Sequence, residues 1–360
     1  MLRLLADDLT GALDSAAEFT GLFGPVRVAW HGDAAGSLAL DTGTREATRG
    51  AALVALRAAA PMLAGATIAF KKLDSLLRGH PIAELAACRD GFRHVVLAPA
   101  FPAMGRITRA GTQYAEAPGG WSARAALPAL LAQEGLSARP LPESGALPDG
   151  ILVCDAERDG DLARIVARGL AAEGPVLWCG SGGLAGALAR RHPATRDAML
   201  RGPVLGLFGS DQGVTARQLA ACGPLALRLP DGGADSAARL AALMRAEGAA
   251  LAGFTLPEGT PRAAAARHIA TALHGLVAAL PRPGTLIVAG GETLRALCEA
   301  LGATALEATG LLAPGVPRSR LLGGRWDGVE VISKSGAFGG DALWRDLLAA
   351  NGILTGTEAA

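Results

Sequence analysis

Short apolar runs rich in Val, Leu and Ile recur along the chain and alternate with longer Ala/Leu/Arg stretches of helical period. The runs predict strands at 2–6, 26–30, 66–70, 94–98, 150–154, 175–179, 203–208, 249–254, 285–289 and 329–333. The stretches between them predict helices at 11–22, 45–60, 81–91, 159–173, 183–192, 213–222, 234–246, 261–279, 292–302 and 340–349. Such alternation argues for α/β architecture: two α/β domains with mostly parallel sheets. The helical run that ends near 193–203 is followed by a fresh strand, which places a domain boundary there and divides the chain into 1–200 and 201–360. A length of 360 residues agrees with two domains at roughly 150 residues each.

In open α/β sheets, ligands sit at the carboxyl ends of strands, in the loops that open the next helix. Five such loops carry polar chemistry. Asp7-Asp8-Leu9-Thr10-Gly11-Ala12 puts two carboxylates directly after the first strand, where one alone would satisfy a helix cap. Asp14, farther along that helix, reads as structural. Lys71 to His80 gathers two Lys with Asp74, Ser75, Arg78 and His80; its cations suit a carboxylate or phosphate, and Asp74 can orient or deprotonate a hydroxyl. Pro99 to Thr108 is a stiff Pro-rich loop whose Arg106 can reach an anion. Gly290-Gly291-Glu292-Thr293, like Gly209-Ser210, is a glycine turn that lets a ligand approach a helix N-terminus. Lys334 to Gly340 joins a Lys to three more such glycines (336, 339 and 340), a loop able to cradle phosphates with backbone N–H groups.

Composition sharpens this picture at one point. Of the 34 basic residues only Lys71, Lys72 and Lys334 are Lys. Where Arg is the default cation, a Lys marks a place suited to a compact point charge rather than a wide fork. A net charge of +1 excludes a nucleic-acid binder that works through bulk positive charge. No run of about 18 uncharged apolar residues is present to span a bilayer, so no membrane partner is expected. The N-terminus lacks a basic segment followed by a long apolar one, and the five Cys show no zinc-type spacing; the expectation is a cytoplasmic protein with Cys in its core. Apolar Ala/Leu helices are compatible with a homodimer.

Two standard nucleotide motifs bear on the function. GxxxxGK[ST] is absent. Gly180-Ser181-Gly182-Gly183-Leu184-Ala185 partly matches the dinucleotide fingerprint, but no acidic residue ends a strand about 20 residues on. The N-terminal half gathers Asp, Lys, Arg and His, suited to a small polar anion. The C-terminal half gathers Gly, Ser and Thr turns, suited to phosphates. This division points to phosphoryl transfer in a cleft between domains, with an NAD(P)-dependent oxidoreductase and a non-catalytic binding protein as the alternatives.

The motif order resembles the four-carbon acid sugar kinase family over nearly the whole chain. ADD-x-TGA is Ala6 to Ala12, DT-x-x-R is Asp41 to Arg45, and K-x-DS-x-LRG is Lys72 to Gly79, followed by Glu84. PAFP-x-x-GR-x-T is Pro99 to Thr108, and GS-x-GLA is Gly180 to Ala185. GS-x-x-x-x-T-x-x-Q is Gly209 to Gln218, GGET is Gly290 to Thr293, PG-x-P is Pro314 to Pro317, and KSG-x-FG is Lys334 to Gly339. Each is weak alone, and nine in order are specific. The chain departs from the family pattern at His80, Met104 and Gln212, and looks shorter around 114–150.

The resemblance implies an N-terminal domain that binds an acid sugar and a C-terminal domain that binds ATP. The expected reaction is ATP-dependent phosphorylation of the terminal hydroxyl of threonate, erythronate or 3-oxotetronate. Asp8, Arg45, Lys72, Asp74, Ser75, Arg78 and His80 would surround the acid sugar. Ser210, Gly290, Gly291, Glu292, Thr293, Lys334, Gly336 and Gly339 would hold ATP. Mg²⁺ would bridge the phosphates, its protein ligands unassigned. Arg78 and Lys72 would hold the carboxylate or neutralise charge, and Asp8, ahead of Asp74, would take the hydroxyl proton. Lys334 would brace the ATP loop.

Overall fold

A computed structural model describes residues 1–32 and 35–354. The chain divides into two compact units, Met1–Thr195 and Arg196–Ala360.

In the first unit the strands are β1 (Leu2–Ala6), β2 (Val26–Ala29), β3 (Leu38–Asp41), β4 (Ile68–Lys72), β5 (His94–Ala98), β6 (Arg106–Arg109), β7 (Thr112–Ala117), β8 (Gly120–Ala126), β9 (Ala138–Pro140), β10 (Gly150–Val153) and β11 (Val176–Gly180). The main sheet runs β2-β3-β1-β4-β11-β5-β10-β9, with parallel pairing throughout. Its central strands are buried on both faces and therefore read as continuous apolar runs. One core cluster packs Leu5, Ala69, Val95, Leu97, Ile151 and Leu177 under Leu56, Ile82 and Leu85 from the helices. The chain leaves β1 toward β2 on one side and leaves β4 toward β5 on the other. The order thus reverses at the β1/β4 boundary, where an open α/β sheet forms its ligand crevice.

In the second unit the strands are β12 (Val204–Phe208), β13 (Ala226–Leu229), β14 (Ala249–Phe254), β15 (Thr285–Ala289), β16 (Ala305–Ala313), β17 (Val316–Leu322) and β18 (Glu330–Lys334). Their order is β13-β14-β12-β15-β18-β17-β16. The first five are parallel, while β17 runs antiparallel to both β18 and β16. The chain leaves β12 and β15 in opposite directions, which makes a second reversal at their boundary.

The predicted strands and helices are all present, most within a residue or two of their expected limits. Four differences bear on the sites. The strand expected at 66–70 extends through Lys72, so Lys71 and Lys72 are sheet residues and not loop residues. Lys71 can sit inside a buried strand because Glu84 neutralises it at 2.7 Å. The helix expected from 45 begins at Arg49, capped by Thr48, which leaves Arg45 in the preceding loop. The segment following Pro99 is not only a stiff loop, since β6, β7 and β8 form an antiparallel three-stranded sheet. β8 is largely exposed and lacks apolar alternation, so period 2 gives no signal for it. The β16–β17 hairpin is likewise absent from the predicted strands; Gly315, at φ +70°, makes its turn. All five Cys are free and buried, as expected. Among the described residues no helix is long and apolar enough to cross a membrane.

Candidate active site

Three strand ends of the first unit meet at the β1/β4 reversal. Asp7 and Asp8 follow β1, the loop to Arg45 follows β3, and Lys72 to Arg78 leaves β4. Backbone bonds fix these loops to the sheet: Thr42 donates to the Ala6 carbonyl at 2.8 Å, Arg45 to Asp7 at 3.1 Å and Leu73 to Gly180 at 2.8 Å.

Arg45 is the hub. Its guanidinium forms a fork on Asp7 (2.9 and 2.7 Å), meets Asp8 at 2.6 Å and lies 3.8 Å from Asp74. A planar fork with five donors is suited to serving several carboxylates at once. Burial acts to raise the pKa of the Asp7 carboxyl, but Arg45 and the two nearby lysines outweigh it and hold that carboxyl below its usual range. Asp74 is bound more tightly still. It accepts from Arg78 Nε (2.9 Å) and Nη2 (2.8 Å), and from the backbone amides of Leu76 (3.2 Å) and Arg78 (3.1 Å). Burial opposes ionisation there too, yet Arg78 and Arg45 hold Asp74 well below the ordinary carboxylate range.

Asp8 caps the helix Leu9–Glu18 by accepting from the Gly11 amide at 2.9 Å, and Thr10 Oγ1 donates to it at 2.7 Å. Capping and a place in the polar cluster are thus one and the same arrangement. Lys72 is buried and donates to the Leu73 carbonyl at 3.0 Å. Among the described residues no carboxylate stands within ion-pair distance of it. A Cβ added at Gly11 would lie 2.5 Å from Asp8 Oδ1 and 3.0 Å from Lys72 Nζ, so the glycine leaves room for both side chains. Asp14 is buried beside Ser15, which donates to it at 2.8 Å; burial raises its carboxyl to about 6 despite the field of Lys72.

The structure therefore brings together Asp8, Arg45, Lys72, Asp74 and Arg78. Ser75 is buried next to Asp74, and Gln113 from β7 donates to its carbonyl at 2.8 Å. His80 stands apart: its Nε2 is 2.8 Å from the Ala47 carbonyl. Sequence reading passed over Asp7 as a partner of Arg45 and Glu84 as a partner of Lys71. The adjacency of Asp7 to Asp8 was the available signal for the first; a Glu in a helical turn after the loop was the weak signal for the second.

In the second unit a cavity of about 440 Å³ opens at the β12/β15 reversal. It is lined by Gly209, Ser210 and Asp211 after β12, Phe254 from β14, Arg228 from β13, and Arg262 and Glu292 from the helices beyond. Gly209 packs against Thr293, where a Cβ would come 2.5 Å from Thr293 Oγ1. Gly290 holds φ +106°, a conformation that favours glycine, and opens the helix Gly291–Leu301. Glu292 reaches Arg262 at 3.1 Å. Of the expected nucleotide residues, Ser210 and Glu292 line the cavity directly, and Gly290 and Gly336 abut Ser210. Gly339 instead packs against Leu343 and Gln218, behind the loop. Arg228, Phe254 and Arg262 were not singled out in the sequence, since isolated Arg and Phe in apolar segments carry no motif.

Lys334 is buried and donates to the carbonyls of Ser335 and Gly336, both at 3.1 Å. Thr215 Oγ1 shares the Gly336 carbonyl at 2.9 Å. Burial pushes the Lys334 ammonium down to about 7. A Cβ on Gly336 would come within 2.0 Å of Ser210 Oγ. Gly336→Ala is expected to push the Ser210 turn aside, and ATP, the ligand the sequence leads one to expect at these turns, to bind about tenfold or more weakly; calorimetric titration of ATP into both proteins is the check.

The second unit matches a nucleotide-binding C-terminal domain over residues 205–343, and the first matches a sugar-binding N-terminal domain over residues 2–146. A D-threonate kinase of Cupriavidus necator is 34% identical over 95% of this chain and 96% of its own length. A D-threonate kinase of Bordetella bronchiseptica is 31% identical over 94% of each. A solved structure from Salmonella typhimurium LT2 has the same fold at 21% identity, with a TM-score of 0.72 and coverage of 95% of this chain and 97% of that one. A Haemophilus influenzae protein from a domain-of-unknown-function family does so at 18% identity, with a TM-score of 0.65 and coverage of 97% and 99%. On this likeness along nearly its entire length, the chain belongs to the four-carbon acid sugar kinase family, and it is a kinase.

Proposed function

We propose that the protein transfers the γ-phosphate of ATP to the terminal hydroxyl of a C4 sugar acid, with D-threonate the first candidate because two relatives carry that name. The Asp8–Arg45–Asp74 cluster beside Lys72 carries this reading. It supplies hydroxyl acceptors and cations within one crevice of the first unit. The cavity at Ser210 and Gly290 takes the nucleotide, whose phosphates meet the backbone N–H groups of the glycine turns and of the Lys334-braced loop.

Phosphoryl transfer asks the protein for positioning and charge neutralisation more than for covalent chemistry. Asp8 accepts the proton of the attacking hydroxyl. Asp74 is the poorer base, because Arg78 and Arg45 hold its carboxyl so far toward the ionised form that it binds protons weakly. Asp74 positions Arg78 and Arg45 instead. Lys72 offers a point charge to the oxygens that become negative during transfer. Mg²⁺, when bound, would supply further neutralisation. Mg²⁺ takes oxygen ligands, commonly phosphates with one or two carboxylates, and Ser210, Asp211 and Glu292 provide such donors at the cavity.

Two variants and one titration test the reading. Asp8→Asn is expected to lower kcat about 10²- to 10⁴-fold with KM for ATP near wild type. Asp74→Asn is expected to raise KM for the acid more than it lowers kcat. In a thermal-shift series, ATP stabilises the protein and NAD(P) does not. Full ATP turnover by both Asn variants on every C4 acid, or stabilisation by NAD(P) alone, contradicts it.

A further inference from the structure

The cations that the family resemblance offers to the substrate carboxylate are already engaged. Arg45 serves Asp7, Asp8 and Asp74, and the Nε and Nη2 of Arg78 both lie on Asp74. A guanidinium neutralised by protein carboxylates has little charge left for a ligand's carboxylate. Lys72 has no carboxylate partner among the described residues, but a compact ammonium does not match the two oxygens of a carboxylate in one plane.

Arg106 differs on each count. It opens β6, at the root of the three-stranded sheet, and its backbone closes a tight loop with Phe101 (2.8 and 3.1 Å). Gln113 on the neighbouring strand ties that sheet to the Ser75 carbonyl at 2.8 Å, and Thr108 Oγ1 donates to Gln113 at 2.7 Å. The root is therefore anchored next to the loop that holds Asp74. Arg106 is half-buried; its Nη1 donates to the Met104 carbonyl, and its Nε is buried with no hydrogen-bond partner among the described residues. Asp74 and Glu116 on the acidic side, and Arg78 and Arg124 on the basic side, act on it through space. Among the described residues none of these carboxylates is within ion-pair distance of it. A guanidinium partly removed from water, with an unused donor and no carboxylate partner, lacks an anion with two coplanar acceptors.

We propose that Arg106 is the residue that recognises the carboxylate of the sugar acid, so that the β6–β8 sheet selects acids over neutral polyols. This rests on the C4 sugar-acid reading above.

The test compares threonate with its neutral amide, the two differing only in the charged group. Wild type is expected to favour threonate in kcat/KM. Arg106→Gln is expected to lower kcat/KM for threonate about 10- to 100-fold, the range lost with one charge-assisted hydrogen bond, while the amide and KM for ATP change little. Arg106→Lys, which keeps the charge but loses the fork, is expected to fall between. Calorimetric titration of both ligands into each variant gives the same comparison without turnover. An unchanged acid-to-amide ratio in both Arg106 variants overturns the assignment while leaving the sugar-acid kinase reading standing. Wild-type protein that neither binds nor phosphorylates any C4 acid overturns that reading, and this assignment with it.

Discussion

Lys72→Arg is expected to lower kcat/KM about 10²-fold or more, although charge is conserved and the fold stays intact. Lys72 lies almost wholly inside the protein, with its Nζ 3.0 Å from the Leu73 carbonyl and its stem against Gly11. The glycine leaves a channel for one slim chain: the Cβ position at Gly11 is 3.5 Å from Lys72 Cγ. A guanidinium is broader than an ammonium and planar, so it must either displace Asp8 or withdraw from the crevice. Displacing Asp8 disturbs the helix cap and the Arg45 contact together. A misplacement of about 1 Å at such a site is enough for a 10²-fold loss. Steady-state kinetics together with an unchanged melting temperature would establish the effect as local. Wild-type kinetics for Lys72→Arg would show that the Lys has no positional role and is a matter of composition.

The second large effect is on stability. Lys71 is fully buried, and its partner Glu84, equally enclosed, also accepts from Thr44 Oγ1 at 2.5 Å. Burial opposes the charged Lys71, and Glu84 and Asp7 more than offset it, so the ammonium stays ionised with its pKa raised. Lys71→Met removes one charge and leaves the carboxylate of Glu84 in a low-dielectric core. Breaking a buried pair in this way costs about 3–5 kcal/mol, a fall in Tm of roughly 6–20 °C for a domain of this size. Lys71→Met combined with Glu84→Met is expected to recover much of that loss, because an apolar pair of similar volume carries no desolvation cost. Differential scanning calorimetry of the single and double variants decides it. Equal destabilisation by both would mean that the pair's hydrogen bonds, and not the orphaned charge, dominate.

The two lysines show how far the sequence could be read. Their placement at a strand end was legible from the apolar run before them, and so was the polar character of the loop from Leu73 to His80. Their position within the strand was not: the buried charge of Lys71 is tolerated through a partner at distance, Glu84, which no local pattern announces. The parallel core strands were legible because burial on both faces leaves an apolar run. β8 and the β16–β17 hairpin were not. The first exposes most of its residues, and the second mixes Arg, Pro, Ser and Gly into its strands. Arg318, inside β17, is buried because it bonds Glu330 and the Met199 carbonyl (2.6 Å), again a long-range compensation.

Within the candidate site, Asp8 and Asp74 could be found by adjacency and motif, with Asp8 only slightly ahead and nothing local to justify the order. Their ranking follows from partners: Arg78 lies against Asp74, while Asp8 shares Arg45 and a helix cap. Arg106 was visible as a cation in a Pro-rich loop. Its lack of a carboxylate partner among the described residues is a three-dimensional fact, since Arg45 and Arg78 look no different from it in sequence. His80 shows the converse: the motif that carries it places it in the substrate group, whereas its ring is occupied by the Ala47 carbonyl.

The most direct test of the central claim is ADP release from ATP and Mg²⁺ in the presence of D-threonate, L-threonate, D-erythronate and 3-oxotetronate, each taken singly, with the product mass and the site of phosphorylation read by spectrometry and ³¹P NMR. The account predicts stoichiometric ADP and a monophosphate on the terminal hydroxyl with at least one of these acids, abolished in Asp8→Asn. ADP release no greater than the acid-free blank for all of them, from protein that binds ATP, would contradict it.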